Sequence, residues 1–317
     1  MNNTTTASQT TDNCLSYCLL KISGEDSASF LQGQLSNDIK ELDSETENHW
    51  QYSAYCNQKG RVIALLKVWR EEQTLYALIN QDLAESTVDR LRKYVMRSKV
   101  EIQIRDNVRC FAIASKAILE HINPNLSNAL NDRPKAVSSS DQQTALDIGP
   151  YYLLVDKSDS AGIDYIESTM SRENCLGGQI NAGLPIVSLT SSELFIPQML
   201  NLDLLGGINF KKGCYTGQEI VARMHYLGKL KQRMFICELI KGELSDAVQN
   251  GDSIYKDSDL NKAIGTTVSA LPGSNKLLAI IKIAHLEDPL YINPTTHFKV
   301  AANQPYDIPR DSNTDQA

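Results

Sequence analysis

Residues 198–233 read QMLNLDLLGGINFKKGCYTGQEIVARMHYLGKLKQR, and the interpretation of the chain turns on this stretch. Gly206-Gly207, Gly213 and Gly217 bracket short runs, so the backbone can turn sharply there or approach a neighbour closely. Lys211 and Lys212 lie just ahead of Cys214, a placement that stabilises a thiolate if an ammonium group turns inward. Tyr215 offers an aromatic face beside that thiol. Gln218 and Glu219 open an amphipathic run through Ile220, Val221 and Met224, with Arg223 on its polar side. Cys214, Lys212 and Glu219 are therefore the candidates for chemistry. Each also has a plain structural reading. Cys214 can be an ordinary loop thiol, the glycines can make turns, Glu219 can complement a helix dipole in a first turn, and His225 can be a packed or surface histidine.

Outward from this stretch the sequence alternates strand and helix signals, then becomes all strand. Residues 17–23 read as a strand closed by Gly24, and Phe30, Leu31, Gln34, Leu35 and Ile39 follow at helical spacing, with Asp26 or Ser27 as N-cap. Residues 50–55 and 62–69 read as two strands joined by the turn Asn57-Gln58-Lys59-Gly60, and residues 75–79 as another. Residues 82–96 predict an amphipathic helix with Ala84, Val88, Leu91 and Val95 on one stripe. From about residue 105 the alternation restarts, with a strand at 108–114 and a helix at 116–121. Residues 123–143 read as a long polar surface loop, 151–155 as a strand and 164–172 as a helix. Short strands at 233–240, 253–255, 264–270 and 276–283 predict a small C-terminal β-barrel. The expected organisation is a tail at 1–14, a first α+β lobe made of 15–104 with 175–230, a second α+β lobe at 105–174, a barrel at 231–307 and a tail at 308–317.

The composition narrows the function classes. The chain has 317 residues, is 42% hydrophobic and 22% charged, and carries a net charge of −7, so a sizeable core is available and histone-like or polybasic behaviour is excluded. No apolar run approaches the roughly 18 residues of a membrane helix. The first residues lack the basic and apolar regions of a secretion signal and the arginines of a transit peptide. The seven cysteines are scattered without a C-x-x-C pair, which fits neither a disulfide framework nor a zinc knuckle, so reduced thiols in a cytoplasmic protein with no resident metal are expected. The charge is uneven along the chain. Residues 90–105 and 209–233 are each +5, leaving −17 for the remainder. Were these two stretches to converge, they would form a local anion site within a Debye length of roughly 8 Å.

Lys212-Gly213-Cys214-Tyr215-Thr216-Gly217-Gln218-Glu219 resembles the signature octad of the YgfZ family, folate-binding, GcvT-like proteins implicated in iron–sulfur protein maintenance and tRNA modification. Its flanks resemble the family too: Phe195-Ile196-Pro197-Gln198 and Leu205-Gly206-Gly207-Ile208-Asn209-Phe210-Lys211 before it, Val221-Ala222-Arg223 after it. So do Phe30-Leu31-Gln32-Gly33-Gln34-Leu35 and Asn57-Gln58-Lys59-Gly60-Arg61. The similarity runs over roughly residues 15–300 and weakens around 120–145. It implies an α+β protein built as a three-lobed ring, with two α+β lobes and a small barrel around a channel for tetrahydrofolate. Two aromatic positions linked to folate in the family fall on Tyr17, which keeps a ring, and on Cys175, which does not; either folate binds more weakly here, or another ring such as Tyr215 or Trp69 serves instead. Tyr215, Gly213, Gly217, Gln218 and Arg223 join Tyr17 as candidate cofactor contacts.

The implied function is that of a folate-binding accessory protein, with Cys214 as functional thiol and iron–sulfur enzymes that act on tRNA as partners. One cysteine cannot hold a cluster alone, since such clusters take four ligands. Two alternatives come from other classes. A folate-dependent one-carbon transferase needs a positioned carboxylate, for which Asp38 and Glu219 are available. A direct tRNA-binding module would use the basic run from Lys211 to Arg233.

Overall fold

The computed structural model describes residues 15–43, 48–105, 107–130, 135–158 and 169–310. The expected tail at 1–14, the part of the C-terminal tail at 311–317 and most of the helix expected at 164–172 lie outside the described residues.

The first lobe is an antiparallel sheet of β1 (Tyr17–Ser23), β2 (Gln51–Cys56), β3 (Val62–Glu71), β4 (Thr74–Asn80) and β5 (Glu101–Arg105), in the order β2-β3-β4-β1-β5. Helices α1 (Ser27–Gln32) and α2 (Ala84–Val95) belong to it. Strand alternation divides its side chains between two cores. Leu20 and Ile22 of β1 join α1, α2 and the segments around the octad, whereas Leu19, with Trp50, Tyr52, Trp69 and Leu78, faces the second lobe. The α2 stripe is as the spacing predicts: Ala84, Val88 and Leu91 are buried. The helix foreseen through Ile39 is instead the short α1 followed by a 3-10 turn at Ile39–Asp43. Between them Ser36 and Asn37 bond to other segments, which ends the helix early.

The second sheet runs β6 (Arg109–Ile113), β9 (Tyr152–Asp156), β8 (Gln143–Asp147), β7 (Val137–Ser139), covered on its far face by α3 (Lys116–Ile122) and α4 (Pro124–Ala129). The long loop expected at 123–143 is thus a correction. The Asn123 side chain accepts from the Leu126 N–H at 3.2 Å, and Pro124 occupies the first turn, a helix start inside a polar stretch. Helix α5 (Arg172–Asn181) was also missed, because Gly177-Gly178 reads as punctuation. A Cβ on Gly178 would sit 3.4 Å from Pro150, an ordinary van der Waals contact, so neither the backbone nor the packing makes this glycine a helix break.

Past the octad, α6 (Gln218–Tyr226) leads into a closed barrel of β10 (Gln232–Lys241), β13 (Lys276–Lys282), β12 (Ala263–Ala270), β11 (Ser253–Tyr255), β14 (Leu290–Asn293) and β15 (Thr296–Val300), in that order. Phe235 and Cys237 of β10 point into the barrel, while Met234 and Ile236 join the core of the first lobe. The barrel is thereby docked by its own alternation. Two α+β lobes and a small barrel make the chain α+β, as the sequence implies.

Candidate functional site

The three sequence motifs, far apart in the chain, meet at one junction. Lys212 Nζ donates to the carbonyl oxygens of Gln32, Leu35 and Asn37 at 2.8, 2.6 and 2.9 Å. The Thr216 N–H donates to the Gly33 oxygen at 3.3 Å. Ser36 Oγ donates to the Gly207 oxygen and accepts from the Ala54 N–H, and Asn37 Nδ2 donates to the oxygens of Tyr52 and Gly206. Asn209 Oδ1 accepts from the N–H groups of Lys211 and Lys212, fixing the entry to the octad. On the opposite side Gly217, at φ +83°, caps α6 against the 57–60 turn; a Cβ there would lie 2.4 Å from the Asn57 oxygen and 3.0 Å from Gly60 Cα. Gly60, at φ +68°, meets Ile220 and the Gly217 oxygen in return.

This geometry assigns the octad residues different tasks. All three donors of the Lys212 ammonium are taken by carbonyls, so it braces the loop after α1 and does not face the thiol as the sequence suggested. Burial pushes Lys212 down to about 8, with Asp38 pulling it back up. Tyr215 is buried beneath that ammonium, which lies 5.1 Å from its ring centroid, and burial holds its phenol well above the ordinary value. Tyr215 therefore presents no ring to a ligand. Cys214 and Gly213 are exposed at the crest of the loop. Glu219 and Arg223 are exposed on α6, and Gln218 is half-buried at its start. Asp38 Oδ1 accepts from Gln32 Nε2 and the Lys40 N–H, within the same brace.

Tyr17 lies elsewhere. It lines a cleft of ≈ 550 Å³ between the end of β1, α5 and the barrel, together with Asp82, Arg172, Cys175, Gln179 and Ala270. The two positions that the sequence pairs, Tyr17 and Cys175, thus share one cleft. The Tyr17 hydroxyl accepts from Lys67 Nζ at 3.0 Å and from Gln179 Nε2 at 3.4 Å, and Gln179 also donates to the Tyr151 hydroxyl. Lys67 is buried, lies 4.5 Å from the Tyr17 ring centroid, and has no carboxylate partner among the described residues. Cys175 is 1% exposed, and burial pushes its thiol up to about 11, so it is an inert wall and no nucleophile. Trp69, the other expected substitute ring, is fully buried; its indole donates to Glu71 and its ring stacks on Tyr76. The substitution at Cys175 is therefore not compensated by Trp69 or Tyr215.

The structure brings Tyr17 and Cys175 together, and the octad residues together, but it keeps the two groups apart: no octad residue lines the Tyr17 cleft. Sequence reasoning missed Lys67, Gln179 and Arg172. Their only signal is spatial: each lies at least 50 positions from Tyr17. The basic stretches also resolve differently from expectation. Arg233 is committed to Asp203 in a two-pronged pair at 3.0 and 2.8 Å, Lys212 to carbonyls, and Arg92 to the Ile102 oxygen. The described residues contain no group of three His, Cys, Asp or Glu placed to hold a metal ion, and no helix long and apolar enough to cross a membrane.

No family model matches the chain. It is similar to the tRNA-modifying protein YgfZ of Klebsiella pneumoniae (strain 342), with 33% identity over 264 residues covering 80% of this chain and 79% of that protein. Against the tRNA-modifying protein YgfZ of Colwellia psychrerythraea the identity is 28% over 305 residues, covering 89% of this chain and 91% of the relative. Among solved structures it resembles the glycine cleavage system aminomethyltransferase T from Bartonella henselae, with a TM-score of 0.71 over 90% of this chain and 83% of that one; at 12% identity this likeness concerns the fold. On the extent of the sequence similarity, the chain belongs to the YgfZ family of tRNA-modifying proteins.

Proposed function

We propose that this protein binds a folate in the Tyr17–Cys175 cleft and supports tRNA modification as an accessory factor. The observation that carries the reading is the cleft itself. Its ≈ 550 Å³ falls in the range of small-molecule sites, roughly 300–1,000 Å³. Tyr17 supplies an aromatic face for a pterin or aminobenzoyl ring, held in orientation by Lys67 and Gln179. Leu176 and Ile186 are apolar walls, and the exposed Arg172 suits the anionic glutamate tail. Cys175 narrows the aromatic enclosure to one ring, so affinity rests on Tyr17.

Cys214 is the exposed, chemically distinct group of the octad, and the reading gives it the functional role, as thiol donor toward iron–sulfur client enzymes in the cytoplasm. The one-carbon transferase reading finds less support. Glu219 and Asp38 lie at the octad junction and do not line the folate cleft. Asp82 does line it, but its Oδ2 accepts from the Leu189 N–H at 2.8 Å. Equilibrium dialysis of the wild-type chain against tetrahydrofolate tests the proposal: saturable binding of one folate per chain supports it, and no saturable binding rejects it.

A further inference from the structure

A second cleft, of ≈ 840 Å³, opens beside the octad and is separate from the Tyr17 site. The 57–60 turn, helix α2 and residues 193–194 form its walls, and Thr216, two positions from Cys214, contributes from the octad. Its lining holds four cations, Lys59, Arg61, Arg90 and Lys93, against one carboxylate, Glu193. That carboxylate is already satisfied: Arg90 pairs with one oxygen at 2.7 Å and Asn57 Nδ2 donates to the other at 2.6 Å. Arg61 donates to the Leu194 oxygen, which anchors its guanidinium in the wall. Lys59 and Lys93 make no ion pair among the described residues. Tyr94, 45% exposed, stands on the same wall as Lys93 and Arg90.

In a chain of net charge −7 this is a local concentration of positive charge, four cations against one carboxylate. Cations spaced along a groove with an exposed aromatic ring are the chemistry that holds single-stranded nucleic acid, phosphates on the charges and an unstacked base on the ring. A duplex offers phosphates but no free base for Tyr94. We propose that this cleft binds a single-stranded segment of RNA, which would lie against the octad loop and its exposed thiol. The choice of RNA over DNA rests on the tRNA-related function proposed above.

The test is fluorescence anisotropy with an unmodified, end-labelled tRNA transcript at salt concentrations from about 50 to 200 mM. Lys59→Glu with Lys93→Glu is compared with Lys241→Glu with Lys262→Glu, which changes charge equally on exposed barrel residues outside the cleft and away from the octad. The cleft variant is expected to lose at least tenfold in affinity and to flatten the log–log salt slope by about 1.4, two contacts at roughly 0.7 each. The control variant should retain wild-type affinity, and Tyr94→Ala should lose about tenfold at every salt concentration. Wild-type affinity in the cleft variant or in Tyr94→Ala, an equal loss in the control, or no binding by the wild type at low salt would overturn the inference. Tetrahydrofolate titration of the same samples separates the two proposals. Folate binding without RNA binding rejects the RNA cleft alone, and RNA binding without folate binding rejects only the folate reading.

Discussion

Lys212 and Cys214 stand two positions apart in the octad and are put to opposite uses. The ammonium is buried and divides its three donors among carbonyls of the loop after α1, while the thiol is exposed. Removing a charged donor from buried acceptors leaves them unsatisfied, so Lys212→Ala should cost about 3 kcal/mol in a urea titration. Cys214→Ala should stay within about 0.5 kcal/mol of wild type, as surface changes do. In a strain lacking its own family member, Cys214→Ala should nevertheless fail to restore tRNA modification; full restoration would show that the thiol has no role. The sequence made Lys212 look like a thiolate partner because adjacency in the chain is visible and the direction of a long side chain is not. Tyr215 misled in the same way. An aromatic beside a thiol suggests a ligand face, but its ring is covered by the Lys212 ammonium.

The elements show what local pattern can and cannot carry. The α2 stripe and the alternation in β1 and β10 were legible because one period decides which side chains are buried. Helices α4 and α5 were not, since their start signals, an Asn-Pro cap and a Ser171 cap, sit beside polar or glycine-rich stretches that look like loops. The meeting of α6 with the 57–60 turn was also invisible, although both carry motif glycines. Gly217→Ala would force a left-handed φ on alanine and drive its Cβ into the Asn57 carbonyl, so a loss of about 3 kcal/mol is expected by thermal or urea unfolding. Gly213→Ala, which meets nothing within 4 Å, should be close to neutral. Between the first two sheets, Glu71 of β3 accepts from Trp69 at 2.9 Å, Thr144 of β8 at 2.7 Å and Lys157 at 2.9 Å. Burial alone would raise its carboxyl, but these donors hold it below the usual 4.5. As pH falls below 4.5 the unfolded carboxyl takes up its proton first, so this contribution is lost as pH drops through the lower folded value. Urea titrations of Glu71→Gln should show the stability gap from wild type narrowing across that window; a constant gap would contradict the assignment.

In the whole molecule, the barrel supplies part of the first lobe's core through Met234 and Ile236, and the Arg233–Asp203 pair ties β10 to the segment ahead of the octad. The α+β-then-barrel order was legible in strand spacing, but the separation of the Tyr17 cleft from the octad was not, because it depends on where α5 and the barrel close over β1. On that separation rests the proposal that folate is held at Tyr17, away from the loop that carries Cys214. Titration with tetrahydrofolate, followed by fluorescence, compares the wild type with Tyr17→Ala and Cys214→Ala. Losing the ring should weaken binding by about 2 kcal/mol, roughly thirtyfold, and Cys214→Ala should bind as the wild type does. Undiminished binding by Tyr17→Ala, or a loss confined to Cys214→Ala, would contradict the placement of the folate site.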